Sequence, residues 1–390
     1  MRPNKIITPI LIFIGVLLIY FFTSAGDTPY DYFTRLAAAF LEGKYWLTQN
    51  PSWLSELIPA GVGKYYVVYP PLPAILALPF VAVFGPTFPQ QYLAHILGAG
   101  IVVLTYRLSL LIKKDVKLAV WSSLLVGLGS IVWYLSSVGS AWYLDQTAAM
   151  FFLLWAIVES LGKKRFYLIG LFLGAAYIGR VDTILAVPFI FFMAGGLKKF
   201  IPRAFSLVLG FLPFLLFYTY YNFLRYGVFY EQGYFLLPTI LHETNQPWFK
   251  YGVMNLKYVP DNLKIAFWSF PKILNQFPYL TPSWAGLSIW ITTPAFIYSL
   301  IAPLKNKLTL AAWGASLSIL GFVSLHGGTG FAQFGYRFAV DFYPLLILLT
   351  ILGVSKQNGP KWHHWLLLSL GIIVNLWGVL WINKFGWVSF

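Results

Sequence analysis

The sequence predicts an all-α fold, a polytopic transmembrane helix bundle of about eleven spans, and three observations lead there. The first is composition: 59% of the 390 residues are apolar and 10% charged, with a mean hydropathy of +0.72. One water-soluble core cannot bury that much apolar surface. The second is the recurrence of apolar runs of about 17–25 residues, the length that crosses a hydrocarbon layer. The third is charge placement. The 27 Lys and Arg residues outnumber the 12 acids, and most sit in short clusters between apolar runs. That is the signature of cytoplasmic loops, so the net charge of +15 is a topological mark and not a nucleic-acid footprint. Cysteine is absent, which excludes disulfides and thiol chemistry.

In chain order, Met1 to Lys5 and the following apolar run read as a signal-anchor and first span, 6–24. A first outer loop occupies 25–90. Within it, Phe33, Leu36, Ala37, Phe40 and Leu41 share one helical face, the pattern of a helix lying along the membrane. The apolar stretch 71–84 is short and carries Pro71, Pro73 and Pro79. Charge decides its place. If it lies at the outer surface, Lys113-Lys114, Lys163-Lys164-Arg165, Lys198-Lys199-Arg203, Lys305/Lys307 and Lys356/Lys361 all fall inside with the N-terminus. Spans follow at 91–112, 118–137 and 144–161. The stretch 165–196 reads as two shorter spans meeting near Gly179-Arg180-Val181-Asp182. Another span covers 203–224, and a second long outer loop runs over 225–283 with a surface helix near 255–268. The last spans are 284–303, 308–326, 337–354 and 363–383. Residues 1–390 therefore form a single membrane domain with no separate soluble domain.

In this topology the acids segregate. Asp27, Asp31, Glu42, Glu56, Asp145, Asp182, Glu231, Glu243, Asp261 and Asp341 face the outer side, and Asp115 and Glu159 the inner. The positive-inside rule is indifferent to Asp and Glu, so it does not impose this bias. Carboxylates held at a membrane surface are candidates for chemistry. Asp27 and Asp145 stand at helix entrances, where an N-cap is the plain alternative. Asp31 lies within the first turn of the amphipathic segment, where it also suits the helix dipole. Arg180 and Asp182 either neutralise each other or leave Arg180 for an anion. Arg337 and Asp341, four apart on one helix face, read either as a simple i,i+4 pair or as a guanidinium for a lipid phosphate held by Asp341. The loop His326-Gly327-Gly328-Thr329-Gly330-Phe331 permits close backbone approach. HExxH, Walker, GxSxG and Rossmann patterns are all missing.

The order of these parts resembles the GT-C superfamily of membrane glycosyltransferases, which includes the protein mannosyltransferase and lipid A aminoarabinose transferase families. The resemblance rests on Gly26-Asp27-Thr28-Pro29 after the first span, Leu41-Glu42-Gly43, Tyr65-Tyr66-Val67-Val68-Tyr69-Pro70-Pro71 leading a short helix, and Trp142-Tyr143-Leu144-Asp145. It extends to Asn222–Gly227 with Glu231–Tyr234, Thr292-Thr293-Pro294 and Phe334-Gly335-Tyr336-Arg337-Phe338. Two departures stand out. Asp27 is followed by Thr28 where relatives often carry Glu, and no Lys precedes the surface helix at Tyr69 or Pro70; Lys64 is nearest.

The resemblance implies an inverting transfer of a hexose or pentose from a polyprenyl-phosphate donor, a lipid-linked co-substrate, to an acceptor hydroxyl. The acceptor, protein, lipid or glycan, is left open. The reaction faces outward across a membrane, expected to be a prokaryotic plasma membrane. The expected catalytic acids are Asp27, with Asp31 as its competitor, and Asp145. Arg337, Arg180, Lys64, Asp341, Glu56, Tyr336 and His326 are expected to meet substrate. A divalent metal ion is left open as a cofactor, and nucleic acid is not expected as a partner. The rival reading is a transporter or lipid flippase, which would place charges and broken helices at corresponding points of two repeats.

Overall fold

A computed structural model describes residues 7–194, 200–277, 279–330 and 332–386. Met1–Lys5 and the Lys198-Lys199 part of one basic cluster lie outside the described residues. α1 (Ile7–Thr23) covers most of the run expected as the first span, and α2 (Tyr32–Leu41) follows in the first loop. A small antiparallel hairpin, β1 (Leu57–Pro59) and β2 (Tyr65–Val67), pairs Leu57 with Val67. It leads into α3 (Leu72–Phe84), the short proline-bearing helix, which packs on α2 and α7. Then come α4 (Gln91–Ile112), α5 (Val116–Gly127), α6 (Val132–Val138), α7 (Ala141–Leu161) and α8 (Phe166–Tyr177). A 3₁₀ turn (Val181–Ala186) separates α8 from α9 (Val187–Ala194), so the stretch 165–196 is two short helices as its sequence indicated.

The longest helix is α10 (Phe200–Tyr226). The second loop contributes α11 (Gly233–Ile240), α12 (Val259–Trp268) and a minimal hairpin, β3 (Lys272–Ile273) with β4 (Leu280–Thr281). The chain ends with α13 (Ile289–Thr292), α14 (Lys307–Val323), α15 (Tyr343–Lys356) and α16 (Trp362–Val379).

Several expected spans are broken. Among the described residues, four helices are long and apolar enough to cross a bilayer unaided: 91–112, 141–161, 200–226 and 362–384. α5 and α6 bend by 52°, with Gly129 and Ser130 between them. The run 284–303 is not one helix but α13 followed by a 3₁₀ segment (Pro294–Ile301). Pro294 supplies no N–H and its ring crowds the preceding turn, so the α-helical ladder stops there.

Without a hydrophobic drive between helices in lipid, close backbone approach supplies the packing. α8 and α10 meet through glycines: a Cβ on Gly170 would lie 2.0 Å from the Leu207 carbonyl, and one on Gly210 would lie 2.0 Å from that of Tyr167. The other side of α10 leaves Phe205, Leu209, Leu216 and Phe223 uncovered, which fits a lipid environment. Polar contacts sort to two ends. At one end, Asn383 Nδ2 donates to the Thr23 carbonyl and Lys384 Nζ to that of Ser24. At the other, Arg165 pairs with Glu159, Trp121 Nε1 donates to the His364 carbonyl, and Lys356 reaches Ile301.

Candidate active site

Three of the candidate acids gather at the first of these ends, around Arg180. The break after α8 places Arg180 at the head of the 3₁₀ turn rather than inside a helix. Its Nη2 lies 2.6 Å from Asp341 Oδ2, and its Nε lies 3.7 Å from Asp182 Oδ1. Asp145 is a third carboxylate within electrostatic reach of Arg180. All three acids are buried, and each keeps one oxygen without a hydrogen-bond partner: Asp145 Oδ1, Asp182 Oδ2 and Asp341 Oδ1. A buried carboxylate oxygen left unpaired is costly. One arginine thus stands among three acids, a cluster poised for further donors or cations.

The second arginine, Arg337, is half-buried on a 3₁₀ turn (Arg337–Asp341). Its guanidinium lies over Tyr143 and Phe338, 5.8 and 5.3 Å from the ring centres. Among the described residues it forms no ion pair, and its Nε has no hydrogen-bond partner. The expected i,i+4 pair of Arg337 with Asp341 is therefore corrected. With three residues per turn, a 3₁₀ turn does not stack positions four apart, and Asp341 goes to Arg180.

Glu56 lies beside Arg337. Trp142 Nε1 donates to Glu56 Oε2 over 3.1 Å, and the Tyr30 ring packs 4.7 Å from that of Trp142. Burial pushes the Glu56 carboxyl up to about 7, against the opposing effects of the Trp142 hydrogen bond and the Arg337 charge. Tyr234 of α11 is within electrostatic reach of Arg180, Asp145, Arg337 and Glu56 at once. Its segment is clamped from behind. Glu231 accepts from Tyr218 Oη at 2.5 Å, from Arg225 at 3.2 Å and from the Gly233 N–H at 2.6 Å. Arg225 also donates to the Val67 carbonyl, which ties α10 to the first hairpin.

Asp27 stands at the rim. It is exposed, and Gln91 Nε2 donates to its Oδ1 over 2.7 Å. The neighbouring Gln90 donates to the Tyr30 and Gly139 carbonyls, fastening this rim to α4 and α7. The capping alternatives resolve differently for each acid. α2 begins at Tyr32, so Asp27 is not its cap; Asp31 is the N-cap residue but makes no side-chain capping bond and pairs with Arg35 at 2.7 Å. α7 is capped at Ser140, which puts Asp145 in the second turn, inside the helix.

Three expected substrate residues lie apart from this cluster or at its back. Lys64 is on the exposed hairpin turn, its Nζ 4.5 Å from the centre of the Trp46 ring. Tyr336 is buried, and its Oη donates to Asn262 Oδ1, anchoring α12. His326 packs against Phe338 at 5.3 Å, with Nδ1 facing the Gly328 carbonyl. Because a carbonyl only accepts, the proton is on Nδ1. Burial pulls this imidazole down to about 4, so it is neutral at pH 7. One residue escaped the sequence reading: Tyr69. It is buried against Tyr32, Trp142 and Tyr234, with an unpartnered hydroxyl. Its position before the short helix, where the resemblance led one to look for a lysine, was the available signal. Among the described residues, no three His, Asp or Glu side chains converge as ligands for a metal ion.

No protein-family profile matches the chain, and no curated protein matches it by sequence. Its structure is nevertheless similar to solved membrane transferases. It superposes on ArnT from Cupriavidus metallidurans in the apo state with a TM-score of 0.58 at 13% identity, over 98% of this chain and 65% of that one. For the same protein bound to undecaprenyl phosphate the TM-score is 0.56 at 14% identity, over 97% and 65%. For the apo oligosaccharyltransferase of Archaeoglobus fulgidus it is 0.55 at 11% identity, over 98% and 56%. The chain therefore spans 56–65% of the length of these neighbours. At such identities the likeness is one of fold, and the fold of this chain is that of the GT-C membrane glycosyltransferases.

Proposed function

We propose that this cluster transfers a hexose or pentose from a polyprenyl-phosphate donor to an acceptor hydroxyl, with inversion at the anomeric carbon. The observation that carries the reading is Arg337, a half-buried cation that forms no ion pair among the described residues, set beside Glu56 and the acids around Arg180. An unpaired guanidinium is the group that a phosphate needs. Two features support a lipid carrier. A structural neighbour holds undecaprenyl phosphate. This chain also has an apolar groove of about 420 Å³ between α2, α3, α8 and α10, lined by residues such as Phe40, Leu78 and Phe217.

In the proposed step the acceptor oxygen attacks the anomeric carbon as the carbon–phosphate oxygen bond breaks. The electron pair of that bond leaves with the lipid phosphate. Arg337, Arg180 and the Tyr69 hydroxyl offset the charge that develops there. The acceptor proton passes to Asp27, whose Oδ1 is oriented by Gln91 while Oδ2 is free to accept. The leaving phosphate departs as an anion and needs cations rather than a general acid, so paired carboxyls of the glycosidase kind are not required. Asp145 sits deeper, where it positions substrate through Arg180. The charge topology supports a site on the outer face of the membrane, which in this reading is a prokaryotic plasma membrane.

The test uses purified protein with polyprenyl-phosphate sugars and measures release of the lipid phosphate. Asp27→Asn should abolish release while the protein keeps its fold. Full activity in that variant rules out Asp27 as the base. Uptake of the lipid-linked sugar by sealed vesicles without turnover would favour transport instead.

A further inference from the structure

A second cavity, of about 540 Å³, lies between the second long loop and the 326–329 loop, and none of its lining residues belongs to the acid cluster. Its volume falls within the range of small-molecule sites, about 300–1,000 Å³. One wall is a single face of α12: Asp261, Lys264, Ile265 and Trp268 follow the i, i+3, i+4, i+7 spacing. Trp248 and Phe270 supply further aromatic surface. Trp268 is 65% exposed and Phe270 60%. Trp248 is fixed in place by its Nε1, which donates to Glu243 Oε2 over 2.8 Å.

The walls also carry one carboxylate and one ammonium, Asp261 and Lys264, both exposed. Among the described residues, neither takes part in an ion pair. Their charges cancel, so the cavity does not select an anion or a cation. It offers aromatic faces next to hydrogen-bonding groups. Aromatic faces are electron-rich and attract the weakly positive C–H edges of an apolar ring face. A carboxylate accepts from hydroxyls, and an ammonium donates to them. A pyranose ring has both surfaces, C–H groups on its face and hydroxyls at its edge. A lipid chain would leave Asp261 and Lys264 desolvated without partners.

The cavity also borders the acid cluster. Gly327 is part of its wall, and a Cβ there would lie 1.9 Å from the Trp248 carbonyl, so the 326–329 loop is pressed onto the 247–254 loop. The next residue back, His326, packs on Phe338 beside Arg337. Consecutive residues thus line the cavity and back onto the cluster through Phe338. We infer that the cavity binds a neutral saccharide, the glycan that serves as acceptor, with Trp268 as the stacking platform; this names the acceptor class for the transferase reading and rests on it.

The experiment is saturation-transfer NMR and titration of the full chain in nanodiscs free of sugar detergents, with maltotriose, mannotriose and chitotriose as probes. At least one should bind, with its ring protons receiving saturation. Trp268→Ala should weaken that Kd about tenfold or more, Trp268→Phe should hold it within about threefold, and the distant Trp362→Ala should leave it unchanged. Binding of none of the three sugars, or equal binding by Trp268→Ala, overturns the inference. So does binding of a serine-rich peptide or of phosphatidylglycerol in place of the sugars. The two readings fail separately. Saccharide binding without release of lipid phosphate from any donor sinks the transferase and leaves a saccharide site. Release with no saccharide binding at α12 does the reverse.

Discussion

Glu56→Gln should remove a pH dependence of stability that the native protein carries. The sign follows from which protonation state the fold prefers. Burial raises the folded carboxyl from an ordinary 4.5 to about 7, so folding favours the protonated acid. The associated stability is fully present below pH 4.5 and is lost as pH rises through 7. Each tenfold difference in proton affinity is worth about 1.4 kcal/mol, which sets an upper bound of roughly 3 kcal/mol for the native loss. Partial exposure of Glu56 and water near Arg337 reduce this to about 1–3 kcal/mol. The assay is reversible unfolding in mild detergent at pH 5 and pH 8, followed by tryptophan fluorescence. The native protein should lose about 1–3 kcal/mol more than Glu56→Gln between the two values, and the variant should be the more stable of the two at pH 8. Parallel pH profiles for both proteins would refute the burial argument for Glu56. A native protein that gains stability with pH relative to the variant would show that Arg337 dominates instead.

The other expectations concern the same end of the bundle and its packing. Arg180→Met leaves three buried acids without their cation and should cost about 3–5 kcal/mol, more than Asp341→Asn, because Asp182 still neighbours Arg180 in the latter; equal costs in a denaturation series would contradict the pairing. Arg337→Ala should raise the donor KM about tenfold or more, and Arg337→Lys should recover part of it; an unchanged KM would remove Arg337 from phosphate binding. Gly170→Ala places a methyl against the Leu207 carbonyl and should cost about 1–3 kcal/mol, whereas Gly314→Ala, with nothing within 4 Å, should be tolerated; thermal unfolding of the two variants compares them directly.

The sequence carried the membrane class, the short helix before α4 and the break at Arg180, because each depends on local composition. Hydropathy marks α4, α7, α10 and α16, and charge clusters order the ends. The interrupted elements were less legible. Pro294 sits within an apolar run that reads as continuous, and only the missing N–H shows that the run must change hand-hold from α13 to a 3₁₀ segment. The 3₁₀ character of Arg337–Asp341 was similarly hidden, and with it the change of partner for Asp341.

The site itself was visible as residue types and not as pairs. Arg180 and Asp341 are separated by 161 positions, and no periodicity links them; only packing of α7, the broken α8–α9 segment and the loop before α15 brings them together. The same holds for Glu56, which the topology placed on the outer side but which acquires its raised proton affinity from the burial around it, against the opposing hydrogen bond from Trp142, 86 positions away. Electrostatics explains why such a site resists reading from sequence. An acid in water is ordinary wherever it occurs, and its chemistry is set by what removes the water. The fold does that to Asp145, Asp182 and Asp341 and leaves Asp27 exposed at the rim. The three buried acids therefore surround Arg180, while Asp27, the base we propose, is an acid still open to an incoming hydroxyl.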